Sequence, residues 1–163
     1  MSTRIIAIFL SLALLVTLTT SVDGRSRRKK PQRIPWKSRI FLDNTAFQQD
    51  FGSITDLKAY MTKHDRKVLG PAKGGKYTIH FMAFFKKLSS DHIYILIWDA
   101  SKSERESIQR YDFRGISNAI DRLASAFKIS TSLVTAGKRY QFELKAKSGK
   151  GAVLLAKTEF QVK

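Results

Sequence analysis

The residues best equipped for chemistry are few and scattered. In "GPAKGGKYT", residues 70–78, Gly70, Gly75 and Lys76 have the spacing of a phosphate-cradling loop. That chemistry needs a Ser or Thr after the lysine for magnesium, and a helix N-terminus facing the phosphate. Tyr77 follows instead and an extended pattern begins, so a basic glycine-rich turn is expected. His64, His80 and His92 are the only three histidines, and no pair has a metal-ligand spacing. "DASKSE", residues 99–104, offers oxygens at alternate positions, but it lacks the central glycine and acidic density of a calcium loop. Serines are plentiful, yet no Gly-x-Ser-x-Gly elbow supports a catalytic triad. Asp91 and Asp99 could flank a cleft as a carboxylate pair, and a hydrolase built from loops around Asp99 and the histidines is the least favoured class. No enzyme and no small-molecule cofactor or metal are expected.

Binding chemistry is better represented. "GRSRRKKPQRIPWKSR", residues 24–39, holds eight Lys or Arg and no acid. Its candidate polyanion-binding residues are Arg25, Arg27, Arg28, Lys29, Lys30 and Arg33, followed by Trp36, Lys37 and Arg39. Lys145, Lys147, Lys150 and Lys157 join them, as outward positions of the last two extended segments. Near "QRYDFRG", Tyr111 and Phe113 could stack on bases or sugars while Arg110 and Arg114 hold phosphate or sulfate. The competing account is that the rings pack inside and the charges only keep the surface wet. The net charge is +17. Residues 24–40 contribute +8, and residues 41–163 contribute +9 from twenty-one basic and twelve acidic side chains. A field of this sign favours nucleic acid, anionic lipid or acidic polysaccharide as partner.

The elements that must position these groups begin after a leader. Arg4 precedes "IIAIFLSLALLVTL", residues 5–18, and small polar residues follow, which is the pattern of a secretory signal peptide cut after Ser21 or Gly24. As a helix the run reaches only about 21 Å, short of a hydrocarbon core of about 30 Å. The alternative is an uncleaved anchor with a cytoplasmic body, because positive charge follows the apolar run. Residues 1–24 are therefore read as a signal peptide, 25–37 as a basic Pro-containing linker, and 38–163 as a single β-sandwich domain. With no Cys in the chain, that domain has no disulfides and rests on burial alone; a 43% hydrophobic composition with eleven Phe suffices for a core.

Within the body, "SRIFL" reads as a strand. "SITDLKAYMTKH", residues 53–64, reads as a helix: Ser53 caps, Asp56 stands three residues on, and Ile54, Leu57 and Met61 share a face. "KYTIHFMAFF" alternates at period two through Tyr77, Ile79, Phe81, Ala83 and Phe85. "KKLSSD" then suits a hairpin link into "HIYILIWD", apolar on both faces and so expected as a central, fully covered strand. "ISNAIDRLASAFKI" is expected to be a loop leading into a strand near Leu123–Ile129. In "RYQFELKAK", Tyr140, Phe142, Leu144 and Ala146 point inward, and Leu154, Ala156, Thr158, Phe160 and Val162 supply the facing row across "SGKG".

The expected fold is mainly β, an immunoglobulin-like antiparallel β-sandwich with one short helix near residues 53–64. Ala136-Gly137 followed by Tyr140 resembles the tyrosine corner of such sandwiches, although the antibody Cys pair is absent. "FMAFF", Asp99 closing the next strand, "RLAS", "KRY" and "LLAKTEF" resemble uncharacterised exported domains of myxobacteria and their relatives, over residues 76–163. That resemblance implies export and a β-rich body and brings no activity with it. The class of function expected is a secreted or envelope-associated interaction module, or else a polyanion-binding protein.

Overall fold

Period-two alternation builds most of the body, and a single capped helix interrupts it. The computed structural model describes residues 35–88, 90, 92–102, 106–116, 120–149 and 151–163. The expected signal peptide, linker residues 25–34, Asp91 and Lys150 lie outside the described residues. The elements are β1 (Arg39–Asp43), α1 (Ile54–Lys63), β2 (Val68–Leu69), β3 (Lys76–Leu88), β4 (His92–Asp99), β5 (Ser107–Arg114), β6 (Ile120–Ser130), β7 (Arg139–Ser148) and β8 (Gly151–Val162).

The chain is mainly β, in two sheets. One has the order β1-β3-β6; the other has the order β2-β8-β7-β4-β5 and curls. All pairings are antiparallel except β2 with β8. The inward rows of both sheets share one core. Ile79, Phe81, Phe127 and Ile129 meet Ile93, Ile95, Ile97, Phe142 and Leu144 there. Rings close its centre: Phe142 lies 5.4 Å from Phe81 and stacks 5.6 Å from Phe127.

The other face of the smaller sheet is not wet. Phe41, Met82 and Phe84 are buried beneath Leu57 and Met61 of α1 and beneath Phe47. This explains why "FMAFF" is apolar at every position. The Ser53 hydroxyl accepts from the Asp56 amide at 3.1 Å and so starts α1 as its spacing predicts. Trp36 joins this second cluster, edge-on to Phe41 at 4.9 Å and 5.1 Å from Phe84.

Three expectations are corrected. The segment after β3 is no hairpin, because β3 pairs with β1 and β6 while β4 pairs with β5 and β7; the chain crosses between sheets there. β4 is central, but His92, Tyr94, Leu96 and Trp98 are only half-buried, because no layer lies over that side. In β8, Leu144 pairs with Ala156 and Lys145 with Leu154, so Leu155 is an extra, bulged residue. The bulge reverses the parity: Leu155 enters the core, and Leu154 stands 46% exposed. The β6 strand, by contrast, covers the expected Leu123–Ile129 and begins slightly earlier.

Turn chemistry follows the glycines. Lys73 and Lys76 exchange backbone bonds of 2.9 and 3.2 Å around Gly74 and Gly75, whose φ values are +57 and +71. The phosphate-loop spacing is therefore a tight turn into β3. At the start of β7, the buried Tyr140 hydroxyl accepts from the Thr135 amide at 2.6 Å. The end of the chain is held as well: Lys163 donates to the Leu69 carbonyl at 3.1 Å, and the Tyr77 hydroxyl donates to the Lys163 carbonyl at 3.0 Å.

Candidate functional site

The uncovered face of the larger sheet brings the outward side chains of β5, β4, β7 and β8 into register. His92 stands opposite Arg114; Tyr94 lies between Asp112 and Lys145; Leu96 lies between Arg110 and Glu143; and Glu143 faces Lys157. Neighbouring strands are about 4.8 Å apart, so these rows touch.

Much of this face is tied up laterally. Arg110 donates to Asp112 from Nη2 at 2.8 Å and from Nε at 3.1 Å, and His92 Nε2 lies 2.5 Å from the same carboxylate. Arg110, and then His92, hold the Asp112 carboxyl below its usual range, and the same bond raises Arg110. The Arg110 guanidinium lies 4.2 Å over the Tyr94 ring. Lys145 Nζ lies 2.9 Å from Glu143 Oε2 and 5.6 Å from the centre of the Trp98 ring. Glu143 is buried, although it stands on the outward row of β7.

The end of the body where β3 finishes and β4 begins carries the opposite character. Strand directions bring there the end of β3, the end of β5 and the β7–β8 hairpin. Lys86, Lys87, Arg114 and Lys147 are exposed at that end, with Lys37 on the segment leading into β1. His92, Arg114, Gly115 and Lys147 line an open depression of about 540 Å³. The buried Ser90 hydroxyl lies 3.2 Å from the Lys147 carbonyl and 3.0 Å from that of His92. Asp50 and Asp121 are the nearby acids on the α1 side, beside Arg122.

The sequence-derived candidates separate accordingly. Lys37, Lys147 and Lys157 are exposed, and Lys145 is bound to Glu143. Arg39 reaches Asp65 at 3.3 Å and covers the Phe41 ring. Trp36 is packed rather than open for stacking. Tyr111 and Phe113 face the core, opposite Ile95 and Ile93, as the competing account of packed rings has it, and are not open for stacking. Arg25, Arg27, Arg28, Lys29, Lys30, Arg33 and Lys150 lie outside the described residues. Sequence reasoning missed Lys86, Lys87 and His92 as companions of Lys147, because only the crossover of the chain brings the ends of β3 and β5 beside the hairpin.

The remaining chemical groups have structural work. Asp43 is buried and accepts from the Asn44 amide at 2.6 Å, while His64 Nδ1 lies 2.7 Å away and Arg66 Nε 3.4 Å away. Tyr60 stacks on His64 at 4.1 Å, so this dyad joins the end of α1 to β1. The Asp99 carboxylate accepts from the Ser101 hydroxyl and amide, which lower its pKa and make "DASKSE" begin as an ordinary turn. Among the described residues no group of three His, Asp or Glu is placed to hold a metal. No family model matches the chain, and no curated protein matches it significantly.

Proposed function

We propose that this chain is an exported, non-enzymatic immunoglobulin-like sandwich that acts as an interaction module for a polyanionic partner, engaged at the hairpin end. The observation that carries the reading is the gathering of exposed Lys86, Lys87, Arg114 and Lys147 at one end of the body. Lys37, one of the eight charges of residues 24–39, precedes β1 in sequence. Cations so crowded repel one another and gain most from an anionic surface.

Several features support the architectural part. Lettering the strands A, B, C, C′, E, F and G for β1, β3, β4, β5, β6, β7 and β8 gives sheets A-B-E and G-F-C-C′, with β2 added beside G. Tyr140 opens strand F and is bonded to the backbone five residues upstream, as a tyrosine corner requires. The resemblance to exported myxobacterial domains agrees with a module outside the cytoplasm, as does the leader.

The test is the salt dependence of binding to duplex DNA as a model polyanion. Each phosphate contact contributes about 0.9 to the log–log slope. Replacing Lys86, Lys87, Arg114 and Lys147 by Gln is expected to flatten the slope by about 2 or more. An unchanged slope refutes the assignment to this end. Export is tested separately by the N-terminus of the protein from its host, expected between residues 20 and 29; an intact Met1 refutes cleavage.

A further inference from the structure

The geometry points to an anionic lipid surface as the partner of this end, with the β7–β8 hairpin as the element that enters it. The inference rests on the polyanion reading above and narrows it. Every described residue from Lys147 to Leu154 is exposed, so the hairpin stands clear of the sandwich. It carries two aliphatic side chains that its own fold leaves bare, Val153 at 48% and Leu154 at 46% exposure. The bulge at Leu155 sets this arrangement by turning Leu155 inward and holding Leu154 outward beside Lys145. The hairpin's turn contains Gly149 at φ +54, and Ser148 pairs with Gly151 across it. Its base is fixed by the Ser90 hydroxyl on the Lys147 carbonyl.

Charge and apolar surface thus stand together. A soluble polyanion would use Lys147, Arg114, Lys86 and Lys87 but has no use for bare Val153 and Leu154. A bilayer uses both: Val153 and Leu154, on opposite faces of the hairpin just behind its turn, meet the acyl boundary as the hairpin enters, while the surrounding cations meet lipid phosphates. A short apolar contact alone binds membranes weakly, and a second, electrostatic signal makes binding stable.

The experiment uses the full chain without its first 24 residues, sedimented with phosphatidylcholine vesicles with and without phosphatidylglycerol, in parallel with binding to a DNA duplex. Wild type is expected to bind the anionic vesicles at least about tenfold more tightly than neutral ones. Val153→Ser with Leu154→Ser is expected to lose roughly tenfold on vesicles and to bind DNA within about twofold of wild type. Because the chain has no Cys, Ala152→Cys takes a single environment-sensitive fluorophore, whose emission should shift to the blue on anionic vesicles only. Both substitutions are at exposed positions, and an unchanged unfolding transition verifies the fold. Vesicle binding unaffected by the Ser pair, or no blue shift, overturns the inference while the polyanion reading stands. DNA binding without vesicle binding also overturns it, in favour of a soluble polymer. Loss of self-association in the Ser pair would make the hairpin a contact between copies and overturn it equally. Failure to bind either probe refutes both readings.

Discussion

Lys145 and Lys147 are two residues apart on the same side of β7, and their removal should have very different consequences. Lys145 Nζ forms an ion pair with Glu143 Oε2 at 2.9 Å; its own side chain is 23% exposed, while that of Glu143 is only 4% exposed. An exposed ion pair contributes at most about 1 kcal/mol, whereas breaking a fully buried one costs about 3–5 kcal/mol. This pair lies between, with one partner buried and the other partly hydrated. Contact with Trp98 at 5.6 Å adds a few tenths of a kcal/mol at most. Lys145→Ala is therefore expected to destabilise the body by about 2 kcal/mol, and Lys147→Ala by no more than about 0.5 kcal/mol. The assay is urea unfolding, with a shift in midpoint at constant slope. Lys145→Met keeps the aliphatic stem and removes only the charge, so it should retain most of the loss. Raising salt to about 1 M should leave the difference largely intact, because buried pairs are poorly screened. Equal effects of the two Ala substitutions, or a difference that vanishes in salt, would refute the claim that Glu143 and Lys145 form a sheltered pair.

Two further outcomes follow from single hydroxyls. Tyr140→Phe removes the acceptor of the Thr135 amide and should cost about 1–3 kcal/mol in urea unfolding, with faster hydrogen exchange at Thr135. Tyr111 is pushed up to about 12 by burial, and it donates to the Lys128 carbonyl. In the unfolded chain a tyrosine ionises near about 10. Its contribution to stability is therefore present below about pH 10 and is lost as pH rises toward about 12, because the unfolded form loses its proton first. Tyr111→Phe should remove that part of the alkaline decline in a paired unfolding series, and identical declines in both proteins would contradict it.

What was legible in the sequence was what depends on local period. The inward rows of β3 and β7 follow from alternation, and α1 follows from Ser53, Asp56 and the Leu57–Met61 spacing. What escaped depends on partners distant in sequence. Nothing local distinguishes Leu154 from Leu155; only the pairing with Leu144 and Lys145 decides which is bulged. The link after Leu88 looks like a hairpin because length and composition do not reveal that β3 pairs with β6. Trp36 reads as part of a basic linker until Phe41 and Phe84 are placed beside it. Tyr111 and Phe113 lie between arginines in sequence, and the pleat separates them: rings inward, guanidiniums outward. The basic end was half legible, since the lysines were visible and their convergence was not.

The pairing of β2 with β8 has a kinetic meaning. Val68 and Leu69 bond to Gln161 and Val162, the last residues of the last strand, and Lys163 is fastened to Leu69 and Tyr77. A contact between segments so far apart in sequence must overcome a large loop-closure entropy before it stabilises anything. Until residues 161–163 are in place this clasp cannot close, although β8 can already pair with most of β7. The clasp at β2 is thus among the last contacts to close, because it waits on residues 161–163.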